Sequence, residues 1–473
     1  MSKYIPTIGI EVHVELKTNT KIFSPSVNGY GQMANSLTNE IDLGYPGTLP
    51  VLNEEVINLG IKAATILNCK IRKQMFFDRK NYFYPDNPKN YQITQNRTPI
   101  GYDGYVEIDD NGEKKKIYIE EMHIEEDTCK STHRKDKTLL DFNRAGVPLI
   151  EIVTKPCMTT STEAKLYLEK LKELLFYADV SDCKMEEGSM RADANVSIRK
   201  NESDSFGTKA EIKNIGSISN VGLSIEKEIE RQSKLYDNGE TFKEQTRRFD
   251  SKLNDTVLMR VKETGNDYRY FPEPDIPFVI VTDEMIENVK KTIPMLSDER
   301  REKYKELGVS DINTTKLVQN RSLSDYFNEL LSEKTNFQIA SNLLLGDISA
   351  YLNKEEKLIT DTTLTKERFL ELIKLMDNKT LTSKNLKDIL DDVLESTKSI
   401  SEIIKDKGIE NITDDKEIRE VIKRIITDNP ESVNDYKNGH DRAIKYLMGQ
   451  VMKETKGKVN PGLAMEILTE ELN

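Results

Sequence analysis

The chain has 473 residues, 37% of them hydrophobic and 32% charged, with four cysteines and no tryptophan. That length exceeds what one core supports, so two or three domains are expected, and the apolar residues are spread too widely for wholesale disorder. The formal net charge of −12 excludes a uniformly basic surface, so any contact with nucleic acid has to use local patches.

No apolar run approaches the ~20 residues that a membrane-spanning helix needs. The N-terminal MSKYIPTIGIEVHVEL lacks the uninterrupted apolar stretch of a signal peptide. The expectation is a soluble, cytoplasmic protein with no membrane partner. Cys69, Cys129, Cys157 and Cys183 form no CxxC pair, which argues against a zinc framework and a disulfide scaffold. There is no GxxxxGK[ST] loop, no GxGxxG after a strand, no GxSxG elbow and no fixed-period repeat.

In chain order, residues 8–16 read IGIEVHVEL. Ile8, Ile10, Val12, Val14 and Leu16 share one face of a strand, while Glu11, His13 and Glu15 share the other. A lone strand of this kind is more often an exposed sheet face than a ligand row. The Gly-, Pro- and Tyr-rich loops Tyr45-Pro46-Gly47 and NYFYPDNPK (81–89) follow. Segment 119–130, IEEMHIEEDTCK, is the most acidic. By parity Glu121, His123 and Glu125 share a face, and Glu126 goes with Met122 and Ile124; alternation alone does not choose a ligand here, and a solvated acidic edge explains the run equally well. Cys129 lies near His123 and His133 in sequence, but proximity along the chain is weak support for a thiol nucleophile. A helix is expected over about 162–177 and another over about 222–235.

Between those helices, MRADANVSIR (190–199) alternates Met190, Ala192, Ala194, Val196 and Ile198 against Arg191, Asp193, Asn195, Ser197 and Arg199. TKAEIK (208–213) sets Lys209, Glu211 and Lys213 against Ala210 and Ile212. Three strands with apolar backs and mixed acid–base fronts predict an antiparallel sheet packed on helices, with a charged floor in front. Such a floor suits a hard cation and phosphate together. After Pro294 the pattern is helical nearly throughout, with breaks near 378–383 and 407–415. The fold class is therefore α+β followed by all-α. The expected domains are 1–293 (α+β), 294–405 (helical) and 406–473 (a small helical tail). In that tail Lys453, Lys456 and Lys458 cluster around Gly457, a pattern equally compatible with phosphate contacts and with a solvated loop.

Five motifs, IGIEVHVELKTNTKIFS (8–24), FDRKNYFYPDNPKNYQITQ (77–95), LDFNRAGVPLIEIVT (140–154), KMEEGSMRADANVSIR (184–199) and DYRYFPEPDI (267–276), resemble the GatB/GatE family, whose bacterial members are the B subunits of the tRNA-dependent amidotransferase GatCAB. The resemblance extends to GQVMKETKGKVNP (449–461), so it covers essentially the whole chain. It implies a cradle-like catalytic domain on a glutamine-synthetase-like plan, a helical domain and a YqeY-like tail that recognises tRNA. It implies ATP-dependent phosphorylation of the side-chain carboxylate of Glu-tRNA(Gln) or Asp-tRNA(Asn). Ammonia from a partner glutaminase A subunit then forms the amide, with a small C subunit completing the heterotrimer.

By motif, the resemblance places Mg²⁺, with Mn²⁺ as the alternative, on Glu11, His13, Glu126 and Asp193. His13 fits Mg²⁺ chemistry less well than an oxygen ligand does, and parity does not favour Glu126 over Glu125. Arg191, Lys80 and Lys89 are the candidates for phosphate or acceptor-end contacts or for a polar ammonia route. Lys209, Arg247 and Arg248 are those for ATP phosphates, and Tyr268 and Arg269 are wall residues. Asn143 and Arg144 precede VPLIEIV, which reads as a buried strand. The chain departs from the family pattern at Cys129, where Gly is usual, at Gly216 and Gln245, and at Leu343, where Trp is frequent. It lacks the Ser–Ser–Lys machinery of an amidase, so no glutaminase activity is expected of it. Two rivals remain: a ligase for free glutamate, and a non-catalytic tRNA-binding scaffold.

Overall fold

The computed structural model describes residues 3–261, 268–408, 415–437, 440–455, 459 and 461–472. The chain divides into two compact units, Met1–Leu296 and Ser297–Asn473. In chain order the first holds β1 (Ile5–Glu15), α1 (Glu54–Ile66), four short strands β2 (Lys70–Ile71), β3 (Gln74–Met75), β4 (Asp78–Asn81) and β5 (Tyr91–Thr94), then the long hairpin β6 (Gly101–Asp110) and β7 (Glu113–Glu126). A small hairpin β8 (Lys130–His133) and β9 (Thr138–Asp141) leads to β10 (Pro148–Thr154) and α2 (Ser161–Tyr177). Next come β11 (Met190–Arg199), β12 (Ala210–Ile215), α3 (Ile218–Asp237), β13 (Gln245–Asp250), β14 (Asp255–Val261), β15 (Phe271–Pro272) and β16 (Val279–Ile280).

Among the described residues a nine-stranded sheet runs β14-β13-β12-β11-β1-β10-β7-β6-β2. Every neighbouring pair is antiparallel except β12 with β13. The central strand β1 forms because its alternating Ile and Val have stiff, branched side chains that favour extended backbone. Its back face, Ile8, Ile10, Val12 and Val14, is 0–1% exposed. Burial of that order is worth about 1.5–3 kcal/mol per side chain. The matching alternation buries Met190, Ala192, Ala194, Val196 and Ile198 of β11.

Helices α1, α2 and α3 supply the other side of this core through Val56, Leu168, Leu171, Val221 and Ile225. Side-chain caps start them: Asn53, Thr160 and Ser217 accept from the amides of Glu55, Glu163 and Asn220. Gly60 lets α1 lie close against the sheet, since a Cβ there would sit 2.7 Å from Ile100 Cδ1 and 3.0 Å from Ile124 Cδ1. With the helices occupying one face, Glu11, His13, His123, Glu151, Arg191 and Asp193 are left on the other.

The second unit is helical throughout its described elements. Helices Lys366–Asp377, Ser383–Glu395 and Ile400–Asp406 fall on either side of the predicted break near 378–383. Helices Asp415–Asp428, Asp441–Glu454 and Pro461–Leu472 form an apolar cluster of their own through Ile418, Ile422, Leu447, Val451, Ile467 and Leu468. No helix among the described residues is long and apolar enough to cross a membrane.

Candidate functional site

The register of the central strands assembles the floor. Residues directly opposite in a ladder project to the same face. Glu151 of β10 stands opposite both His123 of β7 and His13 of β1, and His13 stands opposite Arg191 of β11. One row across four strands therefore reads His123–Glu151–His13–Arg191. The neighbouring row places Glu11 opposite Asp193.

His123 Nε2 lies 2.8 Å from Glu151 Oε2 and 3.8 Å from Glu125 Oε2, while His13 Nε2 lies 3.6 Å from both Glu125 Oε1 and Glu151 Oε2. Two overlapping donor sets result, Glu11–His13–Glu151 and His123–Glu125–Glu151, each with ligand atoms within 4.8 Å of one another. Burial, and then the charge and hydrogen bond of Glu151, push the Glu11 carboxyl up to about 7. Burial opposes the His123 imidazolium, but Glu151 and Glu125 outweigh it and hold its pKa up at about 10. His13 is raised in the same way against its own burial. Glu125 and Glu151 move down despite burial, Glu151 the further, because the two imidazoles face them.

These residues fit a divalent cation. Three carboxylates converge on two imidazoles, and His123 Nδ1 is buried with no hydrogen-bond partner. Closely spaced buried carboxylates need a counter-charge, which here comes from imidazolium and would equally come from a metal.

Lys80 on β4 faces this cluster. Its ammonium is partly buried, yet Glu125, Tyr270, Glu151 and Tyr268 keep its pKa above the ordinary value. Its Nζ lies 5.0 Å from the Tyr268 ring centre, and Tyr268 also packs edge-on against Tyr82 and Tyr270. Arg269 sits over the ring of the exposed Phe83.

Several predicted residues go elsewhere. Glu126 does not join the cluster, as its position on the Met122/Ile124 side implies. It accepts from Lys89 Nζ at 2.6 Å and from the Ile93 amide at 2.8 Å, so both Glu126 and Lys89 are engaged with each other. Glu125 takes the place on the floor. Asp193 reaches the floor beside Glu11 but is paired with Lys213, whose Nζ lies 2.8 Å from Asp193 Oδ2 and 2.9 Å from Glu211 Oε1. Arg191 binds Asp127 at 2.6 Å, and Arg144 binds the same carboxylate at 3.3 Å while donating to the carbonyls of Thr128 and Cys129. Asn143 ties down a surface loop through Leu37 N and Met33 O.

Arg247 lies on the helix side of the sheet, opposite Ile212. It donates to Thr256 Oγ1 at 2.9 Å and to the Thr256 carbonyl at 2.7 Å, and it sits 3.4 Å from Glu228 of α3. An ATP phosphate on the charged face is out of its reach, because strand alternation sends it the other way. Arg248, opposite Lys213, faces the floor and contacts Asp250 at 3.2 Å; Lys209 is exposed just before β12. Burial pushes the Cys129 thiol up to about 11, which leaves it protonated and a poor nucleophile. Lys453 is exposed in the last turn of helix Asp441–Glu454, and Lys456 and Lys458 lie outside the described residues.

The sequence reading missed Glu151 as a site residue. Its signal was present: one carboxylate in the middle of the otherwise apolar VPLIEIV has to face polar partners, since a lone buried charge is prohibitively costly.

The first unit thus presents a sheet face on which carboxylates and imidazoles converge, laid on an apolar helix layer. The chain belongs to the GatB/GatE family: the GatB/GatE catalytic domain matches residues 6–287, and the GatB domain matches residues 325–472. It is 48% identical over 98% of both chains to the B subunit of the aspartyl/glutamyl-tRNA(Asn/Gln) amidotransferase from Geobacillus thermodenitrificans. The proteins of the same name from Oceanobacillus iheyensis and Bacillus mycoides are 48% and 47% identical, again over 98% of both chains.

Proposed function

We propose that this chain is the activating subunit of a cytoplasmic, tRNA-dependent amidotransferase. On this reading it phosphorylates the side-chain carboxylate of Glu-tRNA(Gln), Asp-tRNA(Asn) or both with ATP, and ammonia from a partner glutaminase A subunit completes the amide. A small C subunit completes the heterotrimer, and the overall reaction is a glutamine-hydrolysing carbon–nitrogen ligation. The observation that carries this reading is the convergence of Glu11, His13, His123, Glu125 and Glu151 on one sheet face, with Lys213 and Arg191 alongside. A cradle-like domain on a glutamine-synthetase-related plan and a tRNA-recognising tail separated near residue 405 belong to the same proposal.

The chemistry requires such a face. A carboxylate is a poor acyl donor, because its leaving group would be oxide. Attack of one carboxylate oxygen on the γ-phosphorus breaks the bond to the β-phosphate and releases ADP. Ammonia then attacks the carbonyl carbon of the acyl phosphate, the carbon–oxygen bond breaks, and phosphate leaves as the nitrogen loses a proton. Glu11, His13, Glu125, His123 and Glu151 would hold Mg²⁺ or Mn²⁺, which supplies charge screening between the two reacting anions. Lys213 and Arg191, each fixed by an acidic partner, orient anionic groups beside them, and Lys80 places a further positive charge over the acids. In the tail, Lys453 contributes to a local phosphate-binding patch; charge reversal there weakens tRNA binding and reduces its salt slope by about 1.

The test is ADP formation by the complex assembled with its A and C partners, with Mg²⁺ and Glu-tRNA(Gln). Turnover that needs charged tRNA and collapses in Glu11→Ala supports the proposal. Turnover on free glutamate favours a small-acid ligase, and tRNA binding with no ADP leaves a scaffold.

A further inference from the structure

The β8–β9 hairpin has no part in the reading so far. Among the described residues it is a sheet of two strands that pairs with no other, and it follows directly on Glu126 and Asp127 at the end of β7. Its charge runs against that of the chain, which has 81 acidic residues to 69 basic ones. Lys130, His133, Arg134, Lys135 and Lys137 are exposed, with Asp136 the one acid among residues 130–137. Elsewhere in this unit exposed lysines find acids: Lys114 meets Glu107 at 3.0 Å, and Lys70 and Lys155 both reach Asp103 at 3.2 Å. Among the described residues Lys130, Arg134, Lys135 and Lys137 form no ion pair. Cations crowded together without carboxylates repel one another, and an external polyanion removes that repulsion.

The ribbon that carries these cations is fixed at both ends. At its base Asp141 Oδ1 accepts from the Asn35 amide at 3.0 Å and from the Asn143 amide at 3.1 Å. The Asn35 side chain accepts from the Phe142 amide at 2.7 Å and donates to the Leu140 carbonyl at 3.3 Å. At the tip the Arg134 amide donates to the Lys137 carbonyl at 2.7 Å, and His133 Nδ1 meets Thr138 Oγ1 at 2.9 Å. A backbone held in this way lowers the ordering cost of binding.

The side chains of the tip select among polyanions. Residues 130–137 read KSTHRKDK, with no apolar side chain. The buried centre of a protein interface is apolar, so this surface suits an acidic protein poorly. A phosphodiester backbone is met by Lys and Arg, with hydroxyl donors such as those of Ser131 and Thr132 beside them. Duplex RNA offers such a ribbon its phosphates and 2′-hydroxyls across a wide, shallow minor groove. We infer that the β8–β9 hairpin is an RNA-contact arm, whose Lys130, Arg134, Lys135 and Lys137 meet backbone phosphates of the duplex next to the aminoacyl end. This rests on the tRNA-dependent reading above and adds a contact in the first unit, outside both the floor and the tail.

The experiment measures equilibrium binding of Glu-tRNA(Gln) to the assembled complex between about 50 and 200 mM salt, with ADP formation alongside. Lys135→Glu/Lys137→Glu is expected to weaken tRNA binding about tenfold and to reduce its salt slope by about 2, with KM for ATP unchanged. Lys135→Arg/Lys137→Arg keeps the wild-type affinity and slope, which ties the loss to charge. Unchanged affinity and slope in the charge-reversed variant overturn the inference. A charge-reversed complex that falls apart on gel filtration also overturns it and assigns the tip to an acidic face of a partner subunit. A wild-type complex with no affinity for Glu-tRNA(Gln) would instead remove the tRNA-dependent reading itself.

Discussion

His123 and Glu151 lie directly opposite each other on neighbouring antiparallel strands, with Nε2 and Oε2 2.8 Å apart. Glu151 meets His13 on its other side at 3.6 Å, so one carboxylate joins two imidazoles from two different strands. It is the shared member of both donor sets. Removing Glu151 therefore damages both, whereas Glu126 belongs to neither.

Mn²⁺ titration of the full chain, followed by electron paramagnetic resonance, is expected to show Glu151→Gln weakening binding about a hundredfold. Glu126→Gln leaves the affinity within about twofold, since its carboxylate is engaged by Lys89. Equal losses in the two variants would count against the cluster as the cation site.

Arg247 acts on stability rather than on nucleotide. Arg247→Ala removes its bonds to Thr256 and leaves Glu228 with one fewer cation, at a cost of about 1–3 kcal/mol. Urea denaturation reads the loss, and KM for ATP in the assembled complex stays at the wild-type value. A tenfold rise in that KM at unchanged stability would restore Arg247 to the nucleotide site.

Lys21 and Asp42 form an ion pair 0% and 2% exposed in their side chains, with Nζ and Oδ2 3.1 Å apart. Burial lowers the Lys21 pKa below 10.5 even though Asp42 opposes the shift. Between its folded and unfolded pKa values the unfolded chain holds more protons, so this group makes stability rise with pH and its penalty is fully present below that window. Unfolding of the wild type and of Lys21→Met/Asp42→Asn as the pH is raised to 10.5 tests this. The wild type should gain stability relative to the double variant as pH rises, and a relative fall would refute the assignment.

Two glycines give opposite outcomes. At Gly104 a Cβ would lie 2.3 Å from Cys69 Sγ and 2.7 Å from the Leu67 carbonyl, so Gly104→Ala is overpacked and costs about 1–3 kcal/mol. At Gly216 a Cβ meets nothing within 4 Å, and Gly216→Ala stays within about 0.5 kcal/mol of the parent. Thermal melts of the two variants give the comparison, and a stable Gly104→Ala would show that β6 can shift away from the end of α1.

The faces of the strands are legible in the residue order alone. Alternation in 8–16 and 190–199 separated Glu11, His13, Arg191 and Asp193 from an apolar back, and the strand over 190–199 appears with those bounds as Met190–Arg199. The same parity put Glu125 with His123, and the helical period after Pro294 was equally legible, because both patterns repeat every two or every three to four residues along the chain. Which face residues meet depends on long-range strand pairing. A period-2 pattern carries no information on which strand lies alongside or in what register. That register is set by hydrogen-bond ladders between residues far apart in sequence, here β1 with β10 and β10 with β7. This long-range pairing brought Glu151 between His13 and His123 and bound Glu126 to Lys89. Arg247 was turned to the helices by the parallel pairing of β13 with β12, which sets it opposite Ile212 of the core.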